Sequence, residues 1–326
     1  MLMVHAVNDA DRTLTELYAE FLPKKIFDAH MHLYLGESIP KVRGTGVFGL
    51  EKALPAHYME DMLPLLPGVE SVGLNMMPFP DPALNDRSNG LRNLANSHIA
   101  QQAALDSSHV GAAYVLPGDS EDEILEMVSA DGIRCIKPYF YGAAGNLGGD
   151  TPIGDFLPEA AWKVASRKGT PIILHMMRKN LADGDNFAYI EQMTAKYPDA
   201  PLVLAHCGRG FDSWTAVKFI PKLSERDNIW FDMAAVCETA PIMASIMKTA
   251  GKRIMWGSDW PICMNRGKAI SLCDGQHWIM GDENASYARV AAESLFAFYQ
   301  TALLMNLDQT QIEDIFYKNA SNLLKV

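Results

Sequence analysis

Cysteine is scarce here and poorly placed for cross-linking. Five occur in 326 residues (Cys135, Cys207, Cys237, Cys263 and Cys273). The number is odd, the spacing is scattered, and no two stand as Cys-x-x-Cys. Free thiols in a reducing cytosol fit this pattern better than a disulfide framework does. No apolar run approaches the length of a membrane-spanning helix. The first residues, MLMVHAVNDADRTLTELY, lack a basic start followed by an apolar core, so no secretory signal is expected and the cytoplasm is the expected location. Positive charge is also short: 28 Lys and Arg stand against 39 Asp and Glu, a net charge of −11 with no block of like charges. This argues against nucleic acid and anionic membrane surfaces as partners. No Gly-x-Gly-x-x-Gly directly follows an early strand, and no internal repeat or low-complexity segment is present.

What is present reads as a soluble enzyme, with 48% hydrophobic and 21% charged residues. Apolar strand-like runs fall at Ile26–His32, Ser71–Met76, Val110–Val115, Ile133–Lys137, Pro171–His175, Pro201–His206, Ile229–Met233 and Arg253–Gly257. Helical patterns separate them, among them Glu121–Ser129, Glu159–Lys168, Phe187–Lys196 and Ala240–Thr249. Eight strands alternating with helices predict an α/β fold closed as a (β/α)8 TIM barrel, with an open doubly wound sheet as the alternative. One domain over 1–326 is expected, because barrels of this size form one domain and composition shows no linker. The stretch 33–67, rich in Pro and Gly, follows the first strand directly and reads as a lid or pocket wall. Asp308 to Leu324 reads as a packed, Asp-capped helix.

The chemistry gathers at strand ends. Ile26-Phe27-Asp28-Ala29-His30-Met31-His32 places Asp28, His30 and His32 on one face if the strand is regular, and two imidazoles on one face suit a divalent cation. His175 and His206 each end an apolar run. Asp259 ends another in Gly257-Ser258-Asp259-Trp260-Pro261. C-terminal strand ends meet at one mouth of a barrel, so these residues would converge. Asp259 also reads as the cap of a helix beginning at Pro261, and single strand-end histidines are often structural.

In this order and at these places, the motifs resemble the amidohydrolase superfamily and its amidohydrolase 2 group of TIM-barrel metal-dependent hydrolases. The resemblance runs from Phe27 to the closing Tyr317-Lys318-Asn319-Ala320-Ser321-Asn322-Leu323-Leu324. It implies one divalent metal held by His30, His32, His175 and Asp259, with His206 beside it as electrophile or proton carrier. Three imidazoles and a carboxylate suit zinc, with manganese as the alternative. Asp259 and His206 would be catalytic, and Asp28 would orient the ligands from behind. Lys137, at the end of the fourth strand, reads as a substrate contact or a solvated lysine. In binuclear relatives the equivalent lysine is carboxylated and bridges two metals. Arg178 and Arg209, each three residues past a strand-end histidine, would receive a substrate carboxylate.

The implied activity is metal-dependent hydrolysis of an amide, ester or lactone in a small cyclic substrate that bears a carboxylate. The alternative is a lyase, a decarboxylase or hydratase, using the same site. Decarboxylating relatives often lack one histidine of the first pair, and both are present here, which favours hydrolysis. A metal-independent lactonase or a binding barrel is a third possibility. The partner expected is a small molecule. The resemblance admits a homodimer, although no surface stripe in the sequence argues for one.

Overall fold

The computed structural model describes residues 5–42, 51–143, 148–177 and 180–326. Its strands, in chain order, are β1 (Lys25–Leu35), β2 (Lys52–Ala53), β3 (Ser71–Pro78), β4 (His109–Val115), β5 (Ile133–Pro138), β6 (Ile172–Leu174), β7 (Leu202–Leu204), β8 (Ile229–Asp232), β9 (Ile254–Met255), β10 (Arg266–Leu272) and β11 (Gly275–Gly281). One sheet runs in the order β2-β1-β3-β4-β5-β6-β7-β8-β9, and β10 pairs with β11 in a separate hairpin. All eight strands expected from the sequence are there, each paired in parallel with the next.

The two ends of this sheet meet. Residues just past β9 hydrogen-bond with β1: Ala29 N donates to Trp256 O (3.0 Å), Asp259 N to His30 O (2.7 Å) and His32 N to Trp260 O (2.7 Å). The fold is therefore a (β/α)8 TIM barrel. Gly257 permits the seam, because a Cβ there would lie 2.9 Å from His30 Cβ and 3.1 Å from His30 N.

Alternation along the strands divides the core in two. Phe27, Ala29, Val110, Cys135, Ile173, Val203 and Met255 form one cluster within the barrel, closed at its base by Ala320 and Leu324. The opposite-facing Ile26, Leu74, Ile136, Ile172, Leu202 and Leu204 pack with the surrounding helices in the larger cluster.

Helices occupy Glu121–Ser129, Glu159–Lys168, Gly184–Lys196 and Thr239–Thr249. Asp308 caps the terminal one by accepting from Gln311 N (2.9 Å). That helix passes through a π-turn at Asp314–Lys318, and Ile315 O accepts from Trp256 N (3.0 Å). The terminal helix is thereby tied to the last barrel strand.

The insertion at 33–67 is more ordered than a lid reading implies. β1 extends to Leu35, Tyr34 and Leu35 pair antiparallel with Ala53 and Lys52, and a helix follows at Pro55–Met62. Ile39, Ala53, Tyr58, Met62 and Leu65 are fully buried. Residues 43–50 lie outside the described part. Among the described residues, no helix is long and apolar enough to cross a membrane.

An N-terminal helix, Asp9–Tyr18, is anchored to the hairpin through charge. Asp11 is wholly buried, bonds Arg266 Nη1 (3.0 Å) and accepts from Arg289 N (2.7 Å). Arg266 is itself 2% exposed. Removing one partner of such a pair strands a buried charge, so Asp11→Ala is expected to cost about 3–5 kcal/mol of unfolding free energy. Urea denaturation checks this, and a loss under about 1 kcal/mol would mean the pair behaves like an exposed one.

Candidate active site

The histidine pair of β1 enters the mouth through an irregularity. Against β3, Asp28 aligns with Leu74 and Met31 with Met76, so one extra residue sits on β1 between them. A bulge of one residue reverses the alternation. Phe27 and Ala29 face the barrel interior before it, and His30 and His32 face the mouth after it. Asp28 therefore does not share their face, contrary to the regular-strand expectation. Its Oδ1 accepts from His30 N and Ser258 N (3.0 Å each), and burial pushes its carboxyl up to about 6. Asp28 holds the β1–β9 seam by the backbone instead of touching an imidazole.

Ring partners come from elsewhere. His30 Nδ1 lies 2.9 Å from Asp232 Oδ2. Tyr139 donates its hydroxyl hydrogen to Pro78 O (2.9 Å), leaving its oxygen to accept from His32 Nδ1 (3.2 Å). Both rings thus carry hydrogen on Nδ1 and turn an Nε2 lone pair inward. There they meet Asp259 Oδ1, at 3.6 Å from His30 Nε2 and 3.1 Å from His32 Nε2. Three electron-pair donors facing one another are satisfied by a cation, so the residues present fit a divalent metal. Among the described residues His30, His206 and Asp232 form a second close grouping, in which both carboxylate oxygens of Asp232 already accept hydrogen bonds.

Asp232 ties a third imidazole to the same place. Its Oδ1 accepts from His206 N (2.9 Å). His206 Nδ1 faces Ala234 O (2.8 Å), so its Nε2 accepts from His175 Nδ1 (3.0 Å). The His206 ring lies 4.9 Å from that of His30, centroid to centroid, tilted by 33°. His175 thus reaches the mouth beside His206, one ring away from the His30, His32 and Asp259 donors. Arg209 is half-buried near His175. Arg178 lies outside the described residues.

Electrostatics are set by burial. Burial pushes the imidazoles of His30, His32 and His175 below their ordinary range. It would raise Asp259 as well, but the imidazoles of His206, His32 and His30 bring that carboxylate down to about 2. Lys137 is fully buried with Nζ 3.4 Å from His30 Nε2, which removes the solvated reading of this lysine. Burial lowers its amine to about 8 against the pull of Asp232 and Asp259.

The backbone is strained at the same residues. His206, Cys207, Arg209 and Asp259 have φ of 54°, 52°, 57° and 63°, each costing on the order of 1 kcal/mol for a side-chain-bearing residue. Asp259 directs its carboxylate to His32. It does not cap the short turn at Ile262–Met264.

Sequence reasoning missed Asp232 and Tyr139. Asp232 carried the signal that identified His175 and His206, a polar residue ending an apolar strand, in Ile229-Trp230-Phe231-Asp232. Tyr139 carried none, because its role depends on where Pro78 O lies.

Asp232→Asn is expected to weaken divalent metal binding about 10- to 100-fold, read by competition against a chelator. Lys137 supplies a pH prediction for the metal-free protein. Its folded value, about 8, lies below its ordinary 10.5, so the unfolded chain holds the extra proton between those values. The burial penalty is therefore full below pH 8 and lifts as pH rises to 10.5. Lys137→Met should be the more stable form near neutral pH, with an advantage that shrinks by about 3 kcal/mol across that window. A difference in denaturation midpoints that does not vary with pH would contradict this.

The amidohydrolase family model, of the amidohydrolase 2 type, matches residues 27–326. No curated protein matches the chain. Among solved structures, a 5-carboxyvanillate decarboxylase from Novosphingobium aromaticivorans, complexed with manganese and 4-hydroxy-3-methoxy-5-nitrobenzoic acid, is similar at TM-score 0.60 and 13% identity, covering 95% of this chain and 97% of that one. A 2,6-dihydroxybenzoate decarboxylase from Rhizobium gives 0.58 and 17%, covering 93% and 99%. A 2-pyrone-4,6-dicarboxylic acid hydrolase, so assigned in Pseudomonas putida, gives 0.56 and 14%, covering 93% and 98%. At these identities the likeness is one of fold. With the family model matched from Phe27 to Val326, over strands, seam and mouth alike, the chain belongs to the amidohydrolase 2 family of enzymes.

Proposed function

We propose that this enzyme is a metal-dependent hydrolase that cleaves an amide, ester or lactone bond in a small cyclic substrate bearing a carboxylate. The observation that carries the reading is the convergence of His30 Nε2, His32 Nε2 and Asp259 Oδ1, with both Nδ1 atoms already committed. Zinc suits this donor set, with manganese next. His175 would complete the set from the His206 side. A divalent ion held there acidifies water to a pKa of about 7 and polarises a carbonyl.

The side chains divide the remaining work. Asp259 accepts the proton of the attacking water at its carboxylate and returns it to the leaving nitrogen or oxygen. His206, its Nδ1 hydrogen fixed on Ala234 O, keeps a basic Nε2 beside His175 and acts as a proton carrier, taking up a proton there and giving it back. Lys137 and Arg209 offer positive charge to a substrate carboxylate. Arg178 is proposed for the same role on sequence alone. The 33–67 insertion is proposed as one wall of the pocket.

Decarboxylation is the second reading, and one observation favours it. The buried Lys137 amine adjoins His30, so a carboxylate could be drawn to the centre of the site instead of its rim. Solved structures of this fold include decarboxylases of aromatic acids. Asp259, after taking a proton from a solvent water, would then pass it to the carbon that loses carbon dioxide.

Exhaustive chelation is expected to abolish turnover, and zinc or manganese to restore it. His32→Ala should lower kcat/KM by at least about 100-fold. Activity retained without metal would sink both readings. Assaying lactone and amide panels beside aromatic carboxylic acids separates them, because only decarboxylation releases carbon dioxide.

A further inference from the structure

Asp259 has a left-handed backbone, with φ of 63°, and a side-chain-bearing residue stays there only while its neighbours hold it. The seam holds one edge of this segment. Ser258 N donates to Asp28 (3.0 Å), Asp259 N donates to His30 O (2.7 Å), and Trp260 O accepts from His32 N (2.7 Å). Trp260 N turns back to Ser258 Oγ (3.0 Å). That leaves the large side chain of Trp260, almost wholly buried and directly after the carboxylate.

The helix Pro55–Met62 of the insertion grips that side chain. Tyr58 and Asp61 stand three residues apart, on one face of the helix. Tyr58 meets the indole edge to face, with ring centroids 5.9 Å apart. Asp61 Oδ2 accepts from Trp260 Nε1 (3.0 Å), joining residues 199 apart in the chain. Asp61 is itself buried. Its Oδ1 accepts from His5 N (3.0 Å), and His5 Nδ1 lies 3.0 Å from both carboxylate oxygens. Burial would raise this carboxyl, but the hydrogen bonds from His5 and Trp260 bring it below the ordinary range. The N-terminal segment thus fixes a charged acceptor aimed at the indole.

We infer that Asp61 is a positioning residue for Asp259. By fixing the Trp260 indole it holds the neighbouring carboxylate where that group faces His30 and His32. The insertion then works as a clamp on a metal ligand, a role distinct from walling the pocket. This rests on the metal-site reading above, and goes beyond it by naming what keeps Asp259 in its strained conformation. Without Asp61 the indole N–H is buried with no acceptor, a cost relieved when the ring turns toward another partner. The ring is one residue from Asp259, so that turn relaxes the strained backbone. It also draws Asp259 Oδ1 away from His32 Nε2, which now lies 3.1 Å from it.

The test uses the full-length protein, stripped of metal and titrated with zinc against a chelator. Thermal unfolding of each metal-free variant is the folding control. Asp61→Ala is expected to weaken zinc binding about 10-fold, and Asp61→Asn, which keeps an oxygen for the indole, to stay within about 3-fold of the parent. Trp260→Phe keeps a ring but loses the N–H, so it should match Asp61→Ala. The double variant should lose no more than either single one, because both remove the same bond. His5→Ala should leave zinc affinity unchanged, since the indole keeps its acceptor. Cobalt gives a second readout: its visible absorption follows the ligand arrangement, and should change in Asp61→Ala and return in Asp61→Asn. Zinc affinity within about 2-fold of the parent in both Asp61→Ala and Trp260→Phe overturns the clamp. So does an equal loss in His5→Ala, which would make Asp61 an anchor for the N-terminal segment only. If Asp61→Ala does not fold, Trp260→Phe decides. Failure of the parent protein itself to bind zinc overturns the metal-site reading, and this inference falls with it.

Discussion

A short run of backbone hydrogen bonds joins the first barrel strand to the residues after the last, and the site depends on it. Asp259 N bonds His30 O, and His32 N bonds Trp260 O. The chain separates these partners by more than two hundred residues, and the seam brings Asp259 Oδ1 to 3.1 Å from His32 Nε2 and 3.6 Å from His30 Nε2. Gly257 admits the approach, and Asp28 braces it by taking N–H groups from both sides. A barrel that failed to close here would still bury its strands, but it would have no donor cluster.

A second buried carboxylate, Asp232, organises the other half. One of its oxygens fixes the ring of His30 and the other fixes the backbone of His206. A single side chain therefore sets the tautomer of one imidazole and the position of another. The left-handed backbone at His206, Arg209 and Asp259 fits this pattern, since strain persists where the surroundings over-determine a conformation. The buried Lys137 adds a further cost that folding carries for the sake of the site. Stability is spread elsewhere, over three apolar clusters among the described residues and the Asp11–Arg266 pair.

Much of the architecture was legible because its signals are local. An apolar strand of a parallel sheet is buried on both faces and reads as a continuous run, and all eight were found this way. Helix ends at Glu121, Glu159 and Asp308 carry caps or acidic first turns that any reader of the chain meets. His30, His32, His206 and Asp259 could be picked out because strand ends have one destination in a barrel. The β10–β11 hairpin escaped notice, since its alternation is weak and it lies after the last strand of the repeating pattern. The face of Asp28 was misjudged because a bulge depends on the partner strand's register, which no window of sequence contains.

The amino-acid order alone therefore determined the eight parallel strands, the barrel and the residue types available at its mouth. These follow from hydrophobic period and from polar residues at strand ends, properties of near neighbours. Only the tertiary structure decided which atoms face each other: Asp232 rather than Asp28 behind His30, Tyr139 behind His32, His175 beside His206, and Lys137 buried rather than solvated. Such contacts join residues far apart in the chain. They are set by strand register, the β1 bulge and barrel closure, so they become definite only once the whole sheet has assembled.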